Sequence, residues 1–360
     1  MPRYNKRRYS TYHGRRGTAT QRFLKAIIVI LLVIFALLAA ARFLLEDYVL
    51  YDEDGFHFPW SDIAGGTGDS GADASPSPSL PLVIPEDEKP VPGVDEPLHA
   101  VLVSNAALAG GTVEQAVNAV GGNAAILDMK LPDGTLNFVS SNPIAIASGV
   151  SSADPAQNAA IAALTGGDLY TIARVSCFRD HALPGYDAEL AIHTNSGYRW
   201  TDFEGVRWSS PSNETVVSYL VALCVELAQL GFDEIYLTNC GFPTAADGNL
   251  GWIKVGAAYP KGALDTVLLP FLTRVKEALE PYGTKLSVEA KGCELMGETD
   301  KTGITMANVL ATCDRFWVDA VDAANYANFA AAGENDPSKK LVTVATLAGA
   351  EDLAWAILGG

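Results

Sequence analysis

The feature that most limits how this chain can fold is an alternation, after residue 98, of short apolar segments with helical patterns. Such an alternation is typical of parallel strands whose sheet is covered by helices on both faces. Seven segments are predicted as strands, at residues 99–104, 124–130, 169–176, 234–238, 285–289, 315–319 and 341–345. Helices are predicted between them at residues 112–120, 155–164, 213–230, 263–279 and 304–311.

The size of this region favours one arrangement of such a sheet. Residues 98–360 are close in number to the ~250 residues of a typical (β/α)8 barrel, so an α/β, TIM-like barrel is predicted. A doubly wound open sheet is the alternative, but no Gly-x-Gly-x-x-Gly pattern follows the first strand. An eighth strand cannot be placed before the chain stops at Gly360, so an incomplete or irregular barrel is also considered.

An apolar run lies near the N-terminus. Residues 26–41 are uncharged, and after Arg42 the run continues to residue 45, which gives a helix of about 30 Å, the thickness of a hydrocarbon core. Residues 1–25 carry eight Lys and Arg, and acidic residues follow the run. The positive-inside rule then predicts a single-pass anchor in the cell membrane, with a cytoplasmic N-terminus and an extracytoplasmic body. A cleaved signal peptide, cut near residues 39–41, is the alternative.

Between the apolar run and the barrel region the composition changes. Residues 46–97 are rich in Pro, Ser, Gly and acidic residues. Such sequences act as semi-rigid spacers and bury too little apolar surface to fold. We therefore predict four regions: a basic cytoplasmic tail at 1–25, a transmembrane anchor at 26–45, a disordered linker at 46–97 and a barrel domain at 98–360.

Charge and motifs argue against several classes of function. The net charge is −17 and the body after the apolar run is acidic, which disfavours a nucleic-acid partner. The histidines lack the spacing of zinc ligands, and neither a nucleophile elbow nor a phosphate-binding loop is present, so no metal or cofactor is predicted. Cys177, Cys240 and Cys293 follow the third, fourth and fifth strands, where either one disulfide or free thiols are compatible with the sequence.

Polar residues at the ends of the predicted strands are the candidates for a functional site, because barrels place their sites where strands end. Carboxylates, aromatic rings and an Arg around one mouth suit recognition of a sugar, or glycoside hydrolysis with two opposed carboxyl groups. Arg174, within an apolar strand, also needs a counter-charge from Asp128 or Asp180. The catalytic candidates are Glu289, Asp128 and Asp319, and the candidates for substrate binding are Arg174, Asp180, Trp200, Asp202, Trp208 and Asn239.

Several motifs between residues 98 and 243 carry a family resemblance through their order and spacing. They are Ile126-Leu127-Asp128-Met129-Lys130 with Asp133-Gly134, Tyr170-Thr171-Ile172-Ala173-Arg174 with Phe178-Arg179-Asp180, Trp200-Thr201-Asp202, and Leu230-Gly231-Phe232-Asp233-Glu234-Ile235 followed by Phe242-Pro243. In these motifs the chain resembles the glycoside hydrolase domain of bacterial extracytoplasmic TIM-barrel proteins, which is α-amylase-like at the level of the fold. The resemblance implies a glycoside hydrolase whose partner is a polysaccharide or cell-wall glycan.

The fourth strand departs from the pattern of that family. Thr238 stands where the family has an Asp, and Gly241 stands where it has an Arg, whereas Glu289 matches a position that tends to be acidic. Thr cannot serve as the carboxylate nucleophile or base of a glycosidase. We therefore expect glycan binding with weak or no hydrolysis. The alternatives are an active hydrolase that uses Glu289 with Asp128 or Asp319, and a structural or interaction module of the cell envelope.

Overall fold

The computed structural model describes residues 96–291, 302–319 and 340–359, together with residues 50–52 and 55–57. Within the unit Ile84–Gly360, eight strands form a closed barrel in which every neighbouring pair is parallel. The predicted α/β barrel is thereby confirmed. In chain order the strands are β1 His99–Val103, β2 Ala124–Lys130, β3 Tyr170–Ser176, β4 Glu234–Thr238, β5 Lys285–Glu289, β6 Arg315–Asp319, β7 Leu341–Ala345 and β8 Trp355–Ile357.

The strand β8 closes the barrel. Trp355 lies opposite His99 of β1 on one side and Thr343 of β7 on the other. The ring of Trp355 stacks on that of His99 with 4.6 Å between the centroids. An incomplete barrel and a doubly wound open sheet are therefore both wrong. The sequence does not reveal β8 because this strand has only three residues, too few for a periodic pattern.

Helices follow the strands and cover the outside of the barrel. All five predicted helices are present, and their ends differ from the prediction by no more than about two residues. The long helix after β3 begins at Asn213, whose side chain caps the backbone N–H groups of Thr215 and Val216. The helices are α1 Asn105–Ala109, α2 Val113–Asn118, α3 Pro143–Ala147, α4 Pro155–Thr165, α5 Leu183–Tyr186, α6 Glu214–Gln229, α7 Asp265–Leu279 and α8 Met306–Thr312, with 3-10 turns at Ala188–Leu190, Leu250–Trp252 and Glu280–Tyr282.

Alternate strand residues supply two separate cores. Leu127, Val175 and Leu237 belong to the core in which the helices pack on the outside of the barrel. Ile126, next to Leu127, and Ile172, next to Ala173 of the outer core, belong to a second cluster that fills the barrel itself. Successive side chains of a strand point to opposite faces, so the interior positions can be followed along each strand to its end.

The N-terminal end of the barrel is occupied by a buried polar network. Arg315 forms an ion pair with Glu234, and Tyr170 donates its hydroxyl hydrogen to Glu234 Oε2 at 2.9 Å. Arg315 Nη1 also donates to Tyr170 Oη at 3.2 Å, and burial raises the pKa of Tyr170 well above its usual range. The network pairs two buried charges through Glu234 Oε2, at the end of a barrel that is usually associated with stability.

The residues before the barrel are described only in part. Leu50–Asp52 pairs antiparallel with Gly55–His57, within the stretch predicted to lack regular structure. The predicted tail, the anchor at 26–45 and most of the linker lie outside the described residues, so those regions and their boundaries remain predictions. No helix among the described residues is long and apolar enough to cross a bilayer.

Candidate functional site

Four charged side chains lie at the C-terminal end of the barrel. Asp128 and Arg174 are register partners near the ends of β2 and β3, and Glu289 and Asp319 end β5 and β6. Trp317 fills the barrel interior two residues before Asp319. Because strand side chains alternate between two faces, these four polar residues point toward the barrel axis. The sequence prediction that they share one mouth is confirmed.

Asp128 and Arg174 form a bidentate ion pair. Arg174 Nη2 donates to Asp128 Oδ2 at 2.8 Å, and Arg174 Nε donates to Asp128 Oδ1. The planar guanidinium matches the two carboxylate oxygens and fixes both side chains. This contact provides the counter-charge expected for Arg174. It also leaves Asp128 with both oxygens already engaged.

Glu289 has a different environment. Its side chain reaches solvent at the mouth, but the protein surrounds most of the carboxyl group, and this loss of water raises the pKa of Glu289. The Asn239 N–H, Lys291 and Arg174 act in the opposite direction, whereas the charge of Asp319 adds to the increase. A Glu with a raised pKa keeps its proton at a higher pH than usual, which is what a general acid needs.

The turn after β4 aims a backbone donor at Glu289. Asn239 has a φ of 48°, in the left-handed region that Asn tolerates better than most residues. Its N–H donates to Glu289 Oε2 at 3.3 Å, and its side-chain Nδ2 donates to Ser176 Oγ at 3.1 Å. Asn239 therefore contacts Glu289 through its backbone, while its side chain, predicted to bind substrate, is held by β3.

Two aromatic side chains form the floor beneath these charges. Tyr236 of β4 and Trp317 of β6 stack with 4.2 Å between ring centroids and an interplanar angle of 20°. Both are fully buried, and neither Tyr236 Oη nor Trp317 Nε1 has a hydrogen-bond partner within the described part of the chain. Burial, and then the charge of Glu289, raise the pKa of Tyr236 well above its usual range. Buried polar atoms without partners are costly, and because both side chains are 0% exposed a sugar at the mouth does not reach them.

Neither of these two floor residues is predicted from the sequence. Tyr236 and Trp317 each lie two residues before a strand-end position that was singled out, Thr238 and Asp319, and so share its face. This two-residue spacing is the sequence signal that would have placed both rings beneath the mouth. Thr238 itself is half-buried, and its hydroxyl lies 3.5 Å from the Val175 carbonyl oxygen, which accepts its hydrogen.

A small cavity adjoins Glu289 on the side of the loops after β3 and β4. It has a volume of about 60 Å³, enough for a few water molecules. Trp208, predicted to bind substrate, reaches it from the loop after β3 and is otherwise buried. The cavity is lined by Glu289, Lys291, Trp208, Asn239, Asp247 and Phe242, among others.

Three of the residues predicted to bind substrate are instead buried in contacts within the protein. Asp180 pairs with Lys130 at 2.7 Å, and both side chains are buried. Asp202 accepts a hydrogen bond from Arg179 Nε at 2.7 Å and caps its own turn through the N–H groups that follow it. Trp200 is 1% exposed. In this structure these three side chains hold the loops above the barrel rather than line its mouth.

The cysteines that the structure describes are free, buried thiols. Cys177 and Cys240, which follow β3 and β4, are buried together with Cys224 and Cys313. Burial raises the pKa of Cys240, and its contact with Cys177 adds to the effect. Cys293 lies outside the described residues, so a bridge that involves it remains untested.

A family model described as "Putative glycosyl hydrolase domain" matches residues 101–315. No curated protein matches the chain. The glycoside hydrolase domain of PgaB (BpsB) from Bordetella bronchiseptica has a TM-score of 0.51 and 12% identity, with 73% of this chain and 94% of that chain covered. At this identity the similarity shows a shared fold.

Two further solved structures are similar at lower TM-scores. A hypothetical protein from Ruminiclostridium thermocellum ATCC 27405 is 22% identical, with a TM-score of 0.44 and coverage of 52% of this chain and 96% of that chain. Ega3 from Aspergillus fumigatus, solved in complex with galactosamine, is 11% identical, with a TM-score of 0.41 and coverage of 71% and 78%.

Proposed function

The chain belongs to the family described as "Putative glycosyl hydrolase domain", and on that premise we propose that its barrel mouth binds a polysaccharide or cell-wall glycan with weak or no hydrolysis. The observation that carries the proposal is the layering of the mouth. Accessible carboxylates of Glu289 and Asp319 lie above the stacked rings of Tyr236 and Trp317. A sugar presents hydroxyl groups at its edge, which match the accessible carboxylates of Glu289 and Asp319.

The expectation of weak hydrolysis follows from the state of the carboxylates. Glycoside hydrolysis needs one carboxylic acid and one opposed carboxylate. Glu289, with its raised pKa, suits the role of the acid. Asp128 is held by Arg174 through both oxygens, and Thr238 carries no charge. A missing carboxylate removes electrostatic stabilisation of the transition state that is worth on the order of several kcal/mol, or orders of magnitude in rate.

An active hydrolase that pairs Glu289 with Asp319 is the second candidate. The charge of Asp319 contributes to the raised pKa of Glu289, so the two carboxyl groups interact across neighbouring strands. In this arrangement Glu289 would donate a proton to the leaving oxygen, and Asp319 would act as the nucleophile or base.

One set of variants separates the two candidates. Wild type, Glu289→Gln, Asp319→Asn and Thr238→Asp are compared on a panel of polysaccharides for bound protein and for released reducing ends. We expect wild type to bind without measurable turnover, Glu289→Gln to bind more weakly, and Thr238→Asp to gain hydrolysis. Robust wild-type turnover that collapses in both Glu289→Gln and Asp319→Asn would replace the binding proposal with the hydrolase.

We also propose that residues 26–45 anchor the protein in the cell membrane and display the barrel outside the cell. The apolar run, its basic N-terminal flank and the acidic residues after it support this topology. Protease added to intact cells should remove the barrel and spare the tail. A barrel that stays protected in intact cells, and is cut only after lysis, would reverse the orientation.

A further inference from the structure

The three most exposed large aromatic side chains in the described part of the chain lie in the loops after β3 and β4. Tyr198 is 75% exposed, Phe203 is 74% exposed and Trp252 is 65% exposed. Most exposed apolar residues on a protein surface occur singly and need no explanation. These three differ because they belong to two loop segments, residues 194–203 and 247–252, that are hydrogen-bonded to each other. We call the three side chains the aromatic platform.

Backbone hydrogen bonds fix the aromatic platform. Thr194 and Tyr198 close a tight turn, in which the Thr194 N–H donates to the Tyr198 carbonyl at 2.7 Å. Asn195, within that turn, donates its N–H to the Trp252 carbonyl at 2.8 Å. Phe203 donates its N–H to the Asp247 carbonyl, also at 2.8 Å. Each exposed residue therefore has a bonded backbone, which lowers the entropy lost when its ring binds a ligand.

A buried tryptophan pair packs the same two loop segments together. The rings of Trp200 and Trp208 pack edge to face with 6.3 Å between centroids, and Trp200 Nε1 donates to the Asn249 carbonyl at 3.2 Å. Gly248 lies so close that a Cβ atom there would be 2.5 Å from the Trp200 ring. The two loop segments are thus packed tightly against one another, which makes the surface above them rigid.

The platform continues from the mouth of the barrel. Asp247, which accepts the hydrogen bond from Phe203, also lines the cavity beside Glu289. Trp208, the ring partner of Trp200, lines the same cavity. A chain of sugars that leaves the mouth on this side would therefore run onto the exposed rings.

We propose that the aromatic platform is an extended subsite that holds the further sugar units of a polysaccharide whose end or internal unit occupies the mouth. The proposal rests on the proposed glycan-binding function and names its ligand as a polymer. Ring faces carry negative potential and attract the C–H groups on the flat side of a pyranose. Each of the three side chains is at least 65% exposed, so each presents ring surface to its own sugar unit.

Exposed polar side chains accompany the rings in or beside the same two loop segments. Arg199, Glu204 and Lys254 are exposed there, and Glu204 also pairs with Arg179. A surface that carries both aromatic rings and hydrogen-bonding groups matches the faces and hydroxyl edges of a glycan. A protein partner would instead favour a continuous apolar core with few charges.

The test compares alanine variants of the platform with a matched variant at the other end of the barrel. Tyr198→Ala, Phe203→Ala and Trp252→Ala remove one exposed ring each. Tyr282→Ala is the control, because Tyr282 is also exposed but precedes β5, at the opposite end from the mouth. Retention on amorphous chitin, amorphous cellulose and peptidoglycan sacculi is measured with the full chain, followed by affinities for oligosaccharides of increasing length from the polymer retained best.

We expect each platform variant to lose about tenfold in affinity for the long oligosaccharides, a size known for the loss of one ring stacked on a flat ligand. The disaccharide affinity and the Tyr282→Ala control should not change. Trp252 also provides a direct signal, because the four other tryptophans that the structure describes are buried. The tryptophan fluorescence emission spectrum of wild type, after subtraction of the spectrum of Trp252→Phe, should shift to shorter wavelength when the polymer binds.

Two results overturn the proposal, and they differ. Unchanged affinity for the long oligosaccharides in all three platform variants, with a loss in Glu289→Gln, would remove the platform but keep the mouth as the binding site. Failure of wild type to be retained by any of the three polysaccharides would overturn the proposed function and the platform together.

Discussion

The buried pair of Lys130 and Asp180 permits a sharp test of whether Asp180 holds the fold or binds the ligand. Lys130 ends β2, and its Nζ lies 2.7 Å from Asp180 Oδ2 and 2.8 Å from the Ser176 carbonyl oxygen. Asp180 Oδ1 accepts the N–H of Leu183 at 2.8 Å. Asp180→Asn keeps the shape and an acceptor for Leu183 but leaves the ammonium group of Lys130 without its counter-ion.

The cost follows from burial. The side chains are 0% and 1% exposed, so water cannot replace the lost partner. Breaking a buried ion pair from one side costs about 3 to 5 kcal/mol of unfolding free energy. For a domain of this size each kcal/mol lowers the melting temperature by about 2 to 4 °C, so Asp180→Asn should melt roughly 6 to 20 °C below wild type. Lys130→Met with Asp180→Asn should recover most of that loss, since it removes both charges.

The shift in melting temperature is measured by thermal unfolding at one scan rate, monitored by far-ultraviolet circular dichroism. Glycan binding is measured at a temperature well below the unfolding transition. We expect Asp180→Asn to melt early and to bind the polysaccharide with wild-type affinity. A melting temperature within about 1 °C of wild type, together with lost binding, would refute the structural role and reinstate Asp180 as a ligand-binding residue.

Three further results are expected. Gly248→Ala should lower the unfolding free energy by about 1 to 3 kcal/mol in urea titrations, because the added Cβ would meet the Trp200 ring at 2.5 Å. An unchanged urea midpoint would show that the loops after β3 and β4 are loosely packed. Glu289→Gln should stabilise the protein at neutral pH, because Gln lacks the charge that a partial loss of water disfavours in Glu289. This advantage should shrink as the pH falls through the raised pKa of Glu289 toward about 4.3, where protonation removes the same charge; a constant difference from pH 8 to 4 would contradict the raised pKa. The four described thiols, those of Cys177, Cys224, Cys240 and Cys313, should react with Ellman's reagent only in denaturant, because all four are buried. Burial also raises the pKa values of Cys224, Cys240 and Cys313. Rapid labelling of any of the four in the folded protein would contradict their burial.

Much of the barrel could be predicted because its signals are local. The strands at residues 124–130, 234–238, 285–289, 315–319 and 341–345 have the predicted bounds, since each is a compact run of strand-forming residues between polar turns. Closure could not be predicted, because it depends on pairing of Trp355 with His99 across most of the domain. The three residues of β8 acquire their conformation from that pairing.

Site residues could be predicted only where their position on a strand determines the direction of the side chain. Asp128, Arg174, Glu289 and Asp319 reach one mouth because the register of a barrel leaves no other place for strand ends. Loop residues do not follow that rule. Trp200 and Asp202 come after β3 like many ligand-binding residues, but contacts between two distant loop segments bury them. Periodicity carries no information about such contacts.

The seam between β8 and β1 also determines when the barrel can be completed. His99 and Trp355 are about 250 residues apart, so the last hydrogen-bonded ladder waits until almost the whole domain has left the ribosome. Until then β1 and β7 each present an unpaired strand edge, which is a template for association with other chains. We therefore expect a chain that stops just before residue 355 to associate through these open edges rather than to form a shortened barrel.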